Sequence, residues 1–183
     1  MSITVRVPAG SEYWNSSVNE FHYIERDVII TMEHSLVSIH KWEQIWHQPF
    51  LDERRRKTNE QMVSYLKCMT LTKNIDDAAY LMIPAAEMQR IKAYIEDPMT
   101  ATTITSSGPK GRKEIKTAEV LYADMVTLGI PFECRKWHLN SLITLIGVCA
   151  ERQKPPKKMS KSAIFAQNRA LNRQRRAALK SKG

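Results

Sequence analysis

The sequence predicts an α+β protein, mainly α, in which a small N-terminal antiparallel sheet packs on a bundle of about five helices and a basic helix follows at the C-terminus. Three observations lead there. Ile3, Val5 and Val7 alternate with Thr4 and Arg6, the period of a strand with one buried face. From Ser35 onward apolar residues recur instead at helical spacing, and Ser, Thr and Pro stand where helices start. Charge is also unevenly divided. The 183 residues hold 28 Lys or Arg and 19 Asp or Glu, yet from Glu151 onward there are 11 basic residues against one acid, so residues 1 to 150 keep 17 against 18, or −1. The body is neutral and the tail carries the basicity.

Residues 3 to 7 therefore read as a strand ended by Pro8-Ala9-Gly10-Ser11. Extended pieces at Phe21 to Ile24 and Val28 to Met32 are expected to join it in one sheet. Ser35 caps a helix with Leu36, Ile39, Trp42 and Trp46 on one face, which stops before Pro49. Asp52 to Lys57 reads as a solvated link. Thr58 and Gln61 then have the form of a capping box, opening a helix with Met62, Tyr65, Leu66 and Met69 inward. A short helix around Asp76 to Leu81 precedes a clearer one that Pro84 opens and Pro98 closes, with Met88, Ile91 and Ile95 inward. Residues 99 to 116 are rich in Thr and Ser around Gly-Pro-Lys-Gly. They suit either a β-hairpin pairing Thr102 to Thr105 with Arg112 to Lys116 or a mobile loop, the hairpin being preferred.

Thr117 caps a helix with Val120, Leu121, Met125 and Leu128 inward, and Leu128-Gly129-Ile130-Pro131 reads as its end, with a left-handed glycine and a proline stop. The most apolar stretch follows. Leu139, Leu142, Ile143, Ile146 and Cys149 mark one helical face, and Leu145 and Val148 widen it, so this helix should be buried. It is shorter than the roughly 20 residues that span a bilayer. Trp42, Trp46, Trp137, Leu139, Leu142, Ile143 and Ile146 are the expected core, with Trp14 alone in a polar setting.

The division expected from these patterns is a globular domain over residues 1–153 and a hinged helical tail over 154–183, separated by Pro155 and Pro156. Ser160 caps the tail helix, whose apolar stripe of Ile164, Leu171 and Ala178, with Phe165 beside it, is thin. Such a helix is expected to order on a partner, and Ile164, Phe165, Arg169, Leu171, Arg173, Arg175 and Arg176 are the candidate partner-binding residues. Interleaved apolar residues favour a protein partner; the charge alone would also bind nucleic acid through counterion release.

No pattern asks for catalysis or a cofactor. Cys134 and His138 are four apart and His40 and His47 seven apart, but no second close pair completes a structural zinc set. His138 is better placed to orient the start of the apolar helix by bonding a neighbouring carbonyl. No nucleophile elbow surrounds a serine, and Gly-Pro-Lys-Gly lacks phosphate-loop spacing. An odd count of three cysteines within apolar patterns argues against a disulfide framework and for a reducing compartment.

The segments PFECRKWHLNSLITLIGVC, MEHSLVSIHKWEQIWHQPFL, YLKCMT and YIEDPMTATT, with the basic terminus KKMSKSAIFAQNRALNRQRRAALKSKG, resemble in content and order the tail assembly chaperones of long-tailed, siphovirus-type bacteriophages. The resemblance spans most of the chain and rests on apolar and aromatic landmarks rather than a catalytic signature. It implies a protein without enzymatic activity that binds the phage tape measure protein, and other tail proteins, until tail tube subunits assemble. It implies the cytoplasm of the infected bacterial host; the apolar segments, each too short to span a bilayer, argue for no membrane, and self-association is left open. The alternatives are a nucleic-acid-binding protein with a cationic C-terminal arm and a structural virion component of the tail or neck.

Overall fold

The computed structural model describes residues 2–15, 19–103, 115–154 and 160–179. The chain divides into two compact units, Met1–Glu151 and Arg152–Gly183. The first is α+β. Strand β1 (Ile3–Val7) pairs antiparallel with β4 (Val28–Met32), Val5 opposite Ile30 and Val7 opposite Val28. The alternation in the sequence is realised, because Val5, Val7, Ile30 and Met32 are buried while Thr4 and Arg6 face outward.

The expected single sheet is instead two pairs. The residues of β3 (Glu20–Tyr23) turn back on β2 (Glu12–Asn15), with Trp14 opposite Phe21, and do not join β1. Strand β2 carries little sequence signal, because Glu12-Tyr13-Trp14-Asn15 has a polar residue at each end and offers only the cross-strand aromatic pair as a reason to be extended. Gly10, at φ +79°, makes the turn between the two pairs, and its N–H donates to the carbonyl of Ile24.

The helical layer follows the capping residues closely. Helix α1 (Leu36–Trp46) opens on a capping box in which Ser35 and Ser38 exchange bonds, and ends at His47 in the left-handed conformation. Helix α2 (Asn59–Met69) opens on Thr58 and Gln61 in the same way. Short α3 (Asp77–Leu81) is capped by Asp76, α4 (Ala85–Glu96) follows Pro84, and α5 (Ala118–Thr127) is capped by Thr117. A 3-10 turn (Phe132–Lys136) leads into α6 (Leu139–Gln153). Helix α1 is the hub, packing on α2, α5 and the 3-10 turn. The segment expected to be central, α6, buries only Leu139, Leu142 and Ile146 fully; Ile143, Leu145 and Cys149 are half-buried. The preferred hairpin between Thr102 and Lys116 falls largely on residues outside the described set.

Gly129 is at φ +66°, and Ile130 N–H reaches back to the Met125 carbonyl at 2.9 Å, which ends α5 with a left-handed residue as the sequence predicts. A Cβ added at Gly129 would meet nothing within 4 Å. The cost of Gly129→Ala is therefore the backbone conformation alone, about 1 kcal/mol. Thermal unfolding should show a loss of only about 2–4 °C; a far larger drop would mean the position is crowded.

The second unit holds the last residues of α6 and helix α7 (Lys161–Leu179), with Ser160 Oγ accepting from Ala163 N–H at 3.2 Å. None of the residues of α7 is buried. Among the described residues no helix is long and apolar enough to cross a membrane.

Candidate interaction surfaces

The core explains which apolar residues are left over for contact. Trp42 is 1% exposed and donates its indole N–H to the Gln61 carbonyl at 2.9 Å, tying α1 to the first turn of α2. Trp46 is half-buried and donates to Ser64 Oγ at 3.0 Å. Phe50 completes the cluster, 5.1 Å from Trp42 and 4.1 Å from Tyr65 between ring centres. Trp137 departs from expectation: it is 48% exposed. Its backbone is extended at the end of the 3-10 turn, which points consecutive side chains to opposite sides, and it is the neighbouring His138 that enters the core.

Two buried polar features hold this core together, and periodicity could not announce them. Glu43 lies on the buried face of α1, and its carboxylate accepts from Phe50 N–H and from Ala118 N–H, each at 2.7 Å. It thus satisfies a free donor in the first turn of α5 from 75 residues away. Burial raises its pKa, and the two backbone bonds pull the other way. Asp52, placed in a solvated link by its sequence context, is buried as well. It bonds Arg54 through both the backbone N–H and the guanidinium, which holds its carboxyl below the usual range. A run of charges in sequence became a local clamp because the turn after Pro49 folds Asp52 inward.

The second feature is a histidine–tyrosine cluster where β4 passes into α1. His34 Nδ1 pairs with the Tyr65 hydroxyl, which also meets Ser38 Oγ at 3.4 Å. His34 N–H donates to Tyr94 Oη, its carbonyl accepts from Leu139 N–H at 2.9 Å, and the His138 ring lies 5.0 Å from the His34 ring. His138 Nε2 bonds the Tyr94 carbonyl at 2.9 Å, the orienting role expected of it at the start of α6. Burial, with His138 beside it, pushes His34 down to about 3; burial also lowers His138 and raises Tyr65. Both residues are 2% exposed and the cluster joins β4, α1, α2, α4 and α6, with His138 also lining a cavity of about 540 Å³ beside Trp137 and Ser141. Among the described residues no group of three or more His, Cys, Asp or Glu is placed to hold a metal ion.

Beside single exposed apolar residues such as Ile29, Ile45, Leu71, Val126, Phe132 and Trp137, exposed apolar surface among the described residues gathers in three groups. Helices α2 and α4 border a cleft of about 680 Å³ whose lining includes Met62, Val63, Leu66, Met88, Ile91 and Ile95. Met62 and Met88, which the spacing places inward, are 39% and 38% exposed at its mouth because α2 and α4 do not close on each other there. The β2–β3 hairpin presents Trp14, Phe21 and Tyr23 on one face, with ring centres 4.6 Å apart for the first pair and 5.9 Å for the second. Sequence spacing identified Trp14 as a candidate for exposure and missed its two companions, whose positions depend on the strand register.

The third is α7. All seven tail positions singled out from sequence lie on it: Ile164, Phe165 and Leu171 are 43%, 70% and 41% exposed, and Arg169, Arg173, Arg175 and Arg176 are exposed as well. At about 100° per residue, Ile164, Leu171 and Ala178 form one edge and Phe165 stands apart from it. Comparison of the chain with protein-family models, with curated proteins and with solved structures returns no match.

Proposed function

We propose that this chain is a non-catalytic assembly chaperone of a long-tailed bacteriophage, holding the tape measure protein until tail tube subunits assemble around it. The observation that carries the reading is the combination of a self-packed neutral body, apolar surface left open in the α2–α4 cleft and on the aromatic hairpin, and a cationic helix with no buried residue. A methionine-lined cleft suits such work, since unbranched, polarisable side chains accommodate varied apolar segments. Contiguous exposed apolar surface on a protein with a full core is also what a binding role requires. The resemblance in landmark segments supports the same assignment.

Co-expression with the tape measure protein tests it. The tape measure protein should be soluble with this chain and aggregate without it, and solubility should fall when residues 160 to 183 are removed. Equal solubility without the chain would defeat the proposal. The nucleic-acid reading is favoured by one observation, the 11 basic residues against one acid from Glu151 onward. Salt separates the two: phosphate binding should weaken by orders of magnitude between about 50 and 200 mM salt, whereas an apolar contact should persist.

A further inference from the structure

Two successive heptads run through α7. Reading from Ala163, the sequence is AIFAQNR, ALNRQRR, AAL, so that one position holds Ala163, Ala170 and Ala177, the next Ile164, Leu171 and Ala178, and a third Gln167 and Gln174. Repetition every seven residues keeps these three rows on one side of a helix, where they form a stripe of small and apolar groups interrupted only by neutral amides. The Arg side chains stay off it: Arg175 borders one edge, Arg173 the other, and Arg169 and Arg176 share a single row on the back. Alanine occupies a flanking row where coiled coils usually carry charge, which leaves room for a second helix to approach closely.

We infer that α7 is one strand of a two-helix coiled coil whose other strand is an acidic helix with its own apolar heptad seam. Charge complementarity names that partner. Residues 160 to 183 contain seven Lys or Arg and no acid, so a second copy of α7 in this position would bring like charges together along the whole contact. An acidic helix neutralises them, with Glu or Asp in its flanking rows opposite Arg173 and Arg175. A polyanion without an apolar seam would engage the arginines equally well but would make no use of Ile164 and Leu171. The 19-residue helix is about 28 Å long and buries none of its residues, so it lacks the packing that stabilises most helices and pairs best with a helix that is already formed. The inference rests on the chaperone reading only in placing the acidic helix on the held protein.

The test uses the full chain and three fluorescent probes at about 0.15 M salt. The first is a synthetic helical peptide with Ile and Leu at its seam and Glu at its flanks; the second has the same composition in scrambled order; the third is a single-stranded oligonucleotide. Anisotropy should show the heptad peptide binding at least tenfold more tightly than the scrambled one, and circular dichroism should show added helix on mixing. The double variant Ile164→Asp, Leu171→Asp should lose at least tenfold of that affinity, while its body melts at the same temperature as the parent. Arg169→Gln should lose far less. Equal binding of the scrambled peptide would overturn the inference in favour of a charge contact, and displacement of the heptad peptide by the oligonucleotide would overturn it in favour of nucleic acid. A tape measure protein kept soluble by the double variant as well as by the parent would also overturn the placement of this contact on the held protein, while leaving the chaperone reading standing.

Discussion

Replacing Trp42 with alanine is expected to lower the stability of the first unit by about 3–5 kcal/mol, measured by chemical denaturation followed by circular dichroism. Trp42 is among the largest fully buried side chains, and three neighbours would lose their contact at once. The Phe50 ring packs edge-on against it, Trp46 lies 6.2 Å away, and Lys57 stands over both the Trp42 and Phe50 rings. The cavity would sit between two helices and a turn, which are stitched elsewhere by Trp46 to Ser64 and by Glu43 to Phe50 and so collapse only in part. Trp42→Phe should recover much of the volume and leave mainly the loss of the Gln61 bond, about 1 kcal/mol. If Trp42→Ala cost less than about 1 kcal/mol, the cluster described here would not be the centre of the core.

Acid should destabilise the same unit well above the range in which carboxylates titrate. His34 is buried and neutral, with its pKa pushed down to about 3, whereas the unfolded chain takes up a proton near 6.5. The unfolded state therefore binds more protons as pH falls through 6.5, and stability is lost from there down to the folded value. Between pH 7 and pH 5 the loss from His34 is about 2 kcal/mol, and His138, also lowered, adds to it in the same direction. Glu43 acts with the opposite sign, because its raised pKa lets the fold take up a proton above the ordinary value of 4.5, and so it offsets part of the histidine loss. The lowered Asp27 and Asp52 add to the acid loss only from about 3.8 downward, outside this interval. Denaturation of the parent and of His34→Gln at pH 7 and pH 5, compared pairwise, isolates the His34 contribution from that of Glu43 and of Glu33, whose pKa burial also raises. His34→Gln should flatten the difference, and an unchanged parent stability across the two pH values would contradict the burial of a neutral imidazole.

Much of the helical layer was legible because its signals are local. Ser35, Thr58, Asp76 and Thr117 each accept a bond from a backbone N–H two or three residues on, an interaction fixed by neighbours in the chain. Gly129 belongs to the same group. The strand pairing was read less well: Ile3 to Val7 and Val28 to Met32 showed their buried faces, but nothing in Phe21 to Ile24 distinguished a partner in β1 from one in β2. Trp137 was misplaced for a related reason, since apolar periodicity cannot say which of two adjacent residues turns inward where a 3-10 turn meets a helix. On α7 the candidate residues were found by spacing because each row of its surface is a simple function of residue number.

Helix starts and stops, the alternation along the strands and the gathering of positive charge after residue 150 can be read along the chain, since each depends on neighbours within about one turn or on composition. Long-range packing was needed to show that Glu43 caps a helix 75 residues away, that His34 meets Tyr65 and His138, and that Met62 and Met88 border an open cleft. Each of those depends on the approach of segments far apart in the chain. A carboxylate, an imidazole or a thioether looks the same in sequence whether its partner is water or the buried end of another helix.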